Sequence, residues 1–370
     1  MRILVVGAGL SGAVVARELA EQGHTITVLD ERSHVAGNCH TYRCDVTGVL
    51  VHAYGPHIFH TSDRDVWAYV NRFARFFPYR HQVRTTIDGH VYERPINLHT
   101  INQFFGKAFS PREARRFIED TQADLSITEP KSFEDQALRF VGRALYEAFF
   151  KGYTEKQWGC SPAELPAAIL KRLPLRFSYN DNYFSHTFQG MPAGGYTEMV
   201  AGILDHAAID VHLNTRYQAH HASGVDHMFW TGPLDAYFGL RLGSLGYRTL
   251  DFERFEADGD WQGCAVMNYG DADVPWTRIT EHKHFAPWEE HERSVCYREY
   301  SRACGDTDIP YYPIRLVREK EMLSEYEALA QLENGVTFLG RLGTYRYLDM
   351  DVSIREALDT AHNFTREHGV

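Results

Sequence analysis

An α/β protein with an inserted helical lobe and an antiparallel β-sheet lobe is predicted by three observations on this 370-residue chain. The first thirty residues read as strand, glycine turn, helix and strand. Residues near 96–180 carry helix caps and helical apolar spacing, and residues 248–299 alternate in short, aromatic-rich segments. The opening element is the strand Ile3 to Val6, followed by Gly7, Gly9 and Gly12. Gly7 suits a tight turn, Gly9 lets backbone approach a pyrophosphate, and Gly12 lets the next helix pack closely on the strand. Ala13 to Gln22 carries the helix, Gly23 ends it, Thr25 to Leu29 forms the second strand, and Asp30 arrives where a ribose hydroxyl needs an acceptor. This is a Rossmann-like βαβ unit whose helix N-terminus offers unpaired N–H groups to phosphate.

The text after Asp30 narrows the cofactor. Arg32 two residues past the acid, then the small-Gly pair Ala36-Gly37 before Asn38, resembles flavin-binding folds more than NAD dehydrogenases, so FAD is expected. The remaining elements follow in order. Val66, Tyr69, Val70 and Phe73 recur at helical spacing within residues 61–77. Residues 83–95 alternate around Asp88-Gly89 as a β-hairpin. Ser132 with Asp135 opens a helix in capping-box style, with Ala137, Phe140, Val141, Leu145 and Phe149 on one face. Ser161-Pro162-Ala163-Glu164 reads as a second helix start. Residues 190–196 read as a loop, 211–214 as a strand, 336–340 as a strand and 351–362 as a helix. The expected division is an FAD-binding lobe from 1–78, 196–240 and 317–370, a sheet lobe from 79–95, 181–195 and 241–316, and a helical lobe with a mobile loop at 96–180.

Composition excludes several classes. A net charge of -11, from 49 acidic against 38 basic residues, argues against nucleic acid as a bulk electrostatic partner. Six scattered cysteines without a CxxC pair read as reduced thiols, and no apolar run is long enough to span a membrane, so a cytoplasmic protein is expected. The histidines lack ligand spacing: Gly55-Pro56 separates His52 from His57 and His60, and His282 and His284 flank a lysine. No metal is expected.

Three segments carry a family resemblance: Gly55-Pro56-His57-Ile58-Phe59-His60-Thr61, Lys151-Gly152-Tyr153-Thr154-Glu155-Lys156-Gln157-Trp158-Gly159, and the run from Gly340-Arg341 to Asp349-Met350-Asp351. Together with Lys171 to Phe177, Asp181 to Phe184, Thr231-Gly232-Pro233 and Arg278 to Lys283, they resemble bacterial UDP-galactopyranose mutases along essentially the whole chain. The resemblance implies an isomerase that interconverts UDP-galactopyranose and UDP-galactofuranose for galactofuranose-containing cell-surface glycans. It implies FAD in its reduced form, with flavin N5 attacking the anomeric carbon while UDP leaves and later returns. A homodimer is the family expectation.

The same resemblance implies residue roles. Arg176 and Arg278 would hold the diphosphate, since a guanidinium is permanently charged and matches phosphate oxygens bidentately. Arg176 would ride on a mobile lid. Tyr183, Tyr312 and Tyr347 would add phosphate contacts, and Asn268 would line the substrate site. Phe149, Phe150, Tyr153, Thr154 and Trp158 would hold the uridine, although as residues alone such an aromatic cluster is more often a core. His81 stands near where relatives place an Asn beside the uridine. On the cofactor side stand Gly7, Gly9, Gly12, Asp30, Arg32, Gly37, Asn38, His57, His60, Arg341, Tyr347, Asp349 and Met350, with Arg176, Arg278 and His60 as catalytic candidates. Two rival readings share the fingerprint: an FAD amine oxidase or desaturase, which would be reduced by its substrate, and a non-catalytic nucleotide-sugar sensor.

Overall fold

Five parallel strands form the sheet that carries the glycine fingerprint, in the order Ile209–His212, Thr25–Leu29, Arg2–Val6, His227–Trp230 and Val336–Phe338. The structure, a computed structural model, describes residues 1–172, 175–305, 307–314 and 317–368. Arg2–Val6 is apolar on both sides because both sides are covered. Ile3 and Val5 face the main core, while Leu4 and Val6 pack with Met228 and Trp230 in a second cluster. The helix Leu10–Glu21 is buried nearly all round and packs against Met350–His368. Two glycines permit this geometry. Gly7 has φ +107°, and a Cβ on Gly12 would collide with the Gly7 carbonyl.

The second sheet has seven strands, ordered Tyr312–Pro313, Tyr247–Asp258, Arg293–Ala303, Arg278–Glu281, Val266–Tyr269, Val83–Ile87 and His90–Arg94. It is antiparallel except where Val266–Tyr269 runs parallel to Val83–Ile87. That pairing joins segments separated by the whole helical lobe, a connection long enough to return the chain in the same direction. The hairpin turns at Asp88 and Gly89, both at positive φ (49° and 73°), as a two-residue type I′ turn requires.

The helical lobe contains Leu98–Phe105, Pro111–Phe117, Phe133–Tyr146 and Gly152–Trp158 around its own apolar cluster. The Ser132–Asp135 capping box forms in both directions, each bond 3.1 Å. Phe140 corrects the expected face. It is 52% exposed, whereas Ala137, Val141 and Leu145 are buried, and Gly142 at φ 76° breaks the helical phase just beyond. The cap at Ser161 closes only the short turn Pro162–Glu164, because Leu165 precedes Pro166 and takes an extended conformation.

Four further expectations change. The helix within 61–77 spans only Arg64–Val70, and Phe76–Pro78 is a strand, since Phe77 precedes a proline. The supposed loop at 190–196 begins as the strand Phe188–Pro192, which pairs with Phe59–Thr61 and Phe76–Pro78 rather than with the seven-stranded sheet expected for 181–195. The strand expected at 211–214 lies at Ile209–His212, and the last helix starts at Met350 and runs to His368. Among the described residues no helix is long and apolar enough to cross a membrane, and Cys39, Cys44, Cys160, Cys264 and Cys296 are free thiols.

Candidate active site

The fingerprint builds a phosphate cradle with unused donors. The helix N-cap, Gly9, receives no side-chain cap. Asp30, expected to meet a ribose, accepts from the backbone N–H of Ala8 (2.7 Å) and of Arg32 (2.9 Å), so it also ties the turn to the second strand. Arg32 donates to Asn38 Oδ1 at 2.8 Å and lies on the Tyr54 ring, while its Nη1 is buried with no partner. Gly37, at φ 53°, sets its Cα against Gly9. An extended dinucleotide fits this groove: it offers phosphate to the helix end and acceptors to the orphaned guanidinium nitrogen.

A cleft of about 240 Å³ opens beside this cradle, with walls from all three lobes. Its lining brings together Asn38, His57, His60, Arg341, Tyr347, Asp349 and Met350 with Tyr153, Tyr183, Asn268, Arg278, Tyr312 and His81. Strand register places Arg278 opposite both Asn268 and Glu299. Its Nε donates to Glu299 Oε2 at 2.8 Å, and Glu299 is only 1% exposed. Burial works against the guanidinium's charge, yet Glu299, Tyr153 and Tyr312 hold it well above the usual arginine range. Neither Nη donates to a described residue, which leaves the face of the fork for a ligand.

The tyrosines stay protonated. Burial pushes the Tyr153 hydroxyl up to about 12 and raises Tyr183 and Tyr312 as well, so each can donate to an anionic oxygen. Tyr312 stacks on Tyr347 at 5.8 Å, and Arg341 lies 4.8 Å above the Tyr347 ring while donating to the Leu348 carbonyl. His60 stacks on Phe184 at 3.7 Å and meets His186 Nδ1 to Nδ1 at 2.6 Å, so one ring donates and the other accepts. His57 Nδ1 is fixed by the Gly55 carbonyl.

Other expected residues lie outside the cleft wall. Phe149, Phe150 and Thr154 are about 95% buried, the two Phe rings lie in the helical-lobe core, and Trp158 packs against it. Arg176 points its guanidinium at the carbonyls of Asn180, Asn182 and Tyr183, where it ties the loop to itself. Leu173 and Pro174, and the side chains of Lys171 and Arg172 in the expected lid, lie outside the described residues. Sequence reading missed Glu299, His186, Phe184 and Tyr311. Phe184 stood within a quoted motif, whereas Glu299 and His186 are named only by register and folding. Asp260, Glu281 and His284 also gather elsewhere, but Lys283 Nζ sits 2.6 Å from Asp260 and backbone amides already fill Glu281.

Burial holds several histidines neutral in the fold, His81 and His282 at about 3 and His57 at about 4. The unfolded chain binds protons at these sites below about pH 6.5, so stability present above that pH is lost as pH falls toward 3. Each of the fully buried pair His81 and His282 contributes a slope of about 1.4 kcal/mol per pH unit in that window. Melting temperature should therefore fall steeply from pH 6.5 to 5, before most carboxylates titrate. A flat profile there would show that these imidazoles are solvated.

A dinucleotide cradle beside a cleft of one arginine fork and several protonated tyrosines defines an enzyme that uses a nucleotide cofactor on an anionic substrate. The family model for UDP-galactopyranose mutase matches residues 148–347, and one for NAD(P)-binding Rossmann-like domains matches 5–73. The chain is 59% identical over 362 residues to a probable UDP-galactopyranose mutase of Klebsiella pneumoniae, covering 98% of this chain and 94% of the relative. It is 48% identical to the dTDP-fucopyranose mutase of Escherichia coli, covering 99% of each. A crystal structure of reduced UDP-galactopyranose mutase superposes with a TM-score of 0.75 at 14% identity, covering 99% of this chain and 95% of that one. The chain belongs to the UDP-galactopyranose mutase family, FAD-dependent isomerases that convert nucleotide sugars between pyranose and furanose forms.

Proposed function

We propose that this isomerase interconverts UDP-galactopyranose and UDP-galactofuranose, with FAD in its reduced state, and so supplies the furanose for cell-surface glycans. The observation that carries the reading is the partly buried Arg278, whose Nε is held by the buried Glu299 and whose two Nη groups are left to the cleft among Tyr153, Tyr183 and Tyr312. Such a fork suits the diphosphate that must leave the sugar and be kept for its return. The cradle of Gly9, Arg32, Gly37 and Asn38 would hold the cofactor's pyrophosphate, with His57, His60, Arg341, Asp349 and Met350 around the reacting end. When bound, reduced flavin supplies the nucleophile for the anomeric carbon. The chain's part is to hold sugar and diphosphate together at high effective concentration and to limit water in a partly enclosed cleft.

The family likeness favours UDP-galactose over dTDP-fucose through the 59% against 48% identity to the two relatives. The oxidase reading differs in one observable. An isomerisation has no net redox change, so anaerobic mixing of the oxidised protein with UDP-galactose should leave the yellow flavin spectrum intact. Bleaching by substrate alone would select the oxidase reading.

A further inference from the structure

Arg94 ends the outermost strand of the seven-stranded sheet and is only 6% exposed. It stands opposite Val83, which stands opposite Val266, and both valines line the cleft. Directly opposed residues share a face of a sheet. One face thus presents Arg278, then Asn268 and Val266, then Val83, then Arg94, across four neighbouring strands. At about 4.8 Å per strand, the outer two strands of this set lie about 14 Å apart.

The surroundings of Arg94 are incomplete without a ligand. Among the described residues nothing accepts a hydrogen bond from its guanidinium, and Nη1 is wholly buried. The Phe150 ring lies 5.0 Å and the Phe149 ring 6.0 Å from Cζ, and Tyr183 and Tyr153 are the titratable groups in electrostatic reach. A cation–π contact offsets only part of the cost of burying an ion. Arg278, by contrast, has a buried counter-ion in Glu299.

We propose that Arg94 is a specificity-determining residue that donates to the carbonyl edge of the pyrimidine of the bound nucleotide sugar. This rests on the nucleotide-sugar reading of the cleft. The diphosphate has its fork and hydroxyls at Arg278, whereas Arg94 stands among aromatic faces of the kind on which a base stacks. A nucleoside diphosphate laid across the strands from Arg278 brings its base toward Arg94. The two-nitrogen fork of a guanidinium suits a planar ring edge carrying carbonyls, and uracil and thymine present the same two.

The test uses the FAD-loaded protein and two probes, UDP and inorganic pyrophosphate, with Arg94→Met and Arg94→Lys variants. Arg94→Met should bind UDP about ten- to a hundredfold more weakly, as for a lost charged hydrogen bond, and pyrophosphate within about twofold of wild type. Its unliganded melting temperature should hold or rise, because an unpaired buried charge has been removed. Arg94→Lys, which keeps the charge but not the fork, should also lose at least about fivefold in UDP affinity. Unchanged UDP affinity overturns the proposal, and equal losses for UDP and pyrophosphate reassign Arg94 to the phosphates. A lowered melting temperature, or an Arg94→Met that does not fold, makes it structural. Wild-type protein that binds no UDP at all would overturn the nucleotide-sugar reading itself.

Discussion

Arg278→Ala should lower kcat/KM at least a hundredfold. Each charged hydrogen bond that the fork makes to a diphosphate is worth about 1.5–3 kcal/mol, and two Nη groups are left to the cleft. The same substitution should destabilise the protein, because Glu299, 1% exposed, would lose the guanidinium that pairs with it. Breaking a buried pair from one side costs about 3–5 kcal/mol. The two effects separate in the double variant Arg278→Met, Glu299→Gln, which removes both charges. That variant should recover most of the denaturation midpoint and none of the turnover. Recovery of both would make the pair structural, and an Arg278→Ala enzyme within twofold of wild type would remove Arg278 from the site.

Lys156→Met should be nearly as damaging, for a different reason. The Lys156 ammonium sits among four backbone carbonyls, those of Tyr269 (2.8 Å), Asp271 (2.8 Å), Val274 (2.9 Å) and Trp276 (3.2 Å). It thereby fastens the helix Gly152–Trp158, which carries Tyr153, to the loop between the strands of Asn268 and Arg278. Gly152 reinforces the contact, since a Cβ there would run into the Gly270 carbonyl. Losing a charged donor and leaving several carbonyls poorly satisfied should cost about 3–5 kcal/mol. Tyr153 should also lose its register with Arg278, so KM for the nucleotide sugar should rise together with the drop in stability. Denaturation and steady-state kinetics on one preparation check both. Unchanged stability would mean that the loop holds its shape without the ammonium.

What the sequence made legible was local or fixed by one spacing. Gly7 and Gly12, the Ser132–Asp135 box and the Asp88-Gly89 turn each depend on a few consecutive residues, and each takes the geometry its chemistry requires. The strand Phe188–Pro192 was hidden because its Gly and Pro mimic a loop, and its pairing comes from residues more than a hundred positions away. The Glu299 partner of Arg278 and the place of Arg94 on the sheet face that carries Arg278 follow from strand register, which no motif spells out. Arg176 shows the converse. Its motif pointed to phosphate, but in this structure its donors are taken by the carbonyls of its own loop.

The most direct measurement incubates the purified protein with UDP-galactofuranose and, in parallel, dTDP-fucofuranose, each with and without dithionite, and follows the nucleotide sugars by chromatography. The account predicts that UDP-galactopyranose forms only in the reduced sample, with a kcat/KM at least about tenfold above that for the dTDP sugar, a difference of about 1.4 kcal/mol in transition-state binding. Equal turnover by the oxidised protein would contradict the role given to reduced flavin, and faster conversion of dTDP-fucofuranose would contradict the substrate.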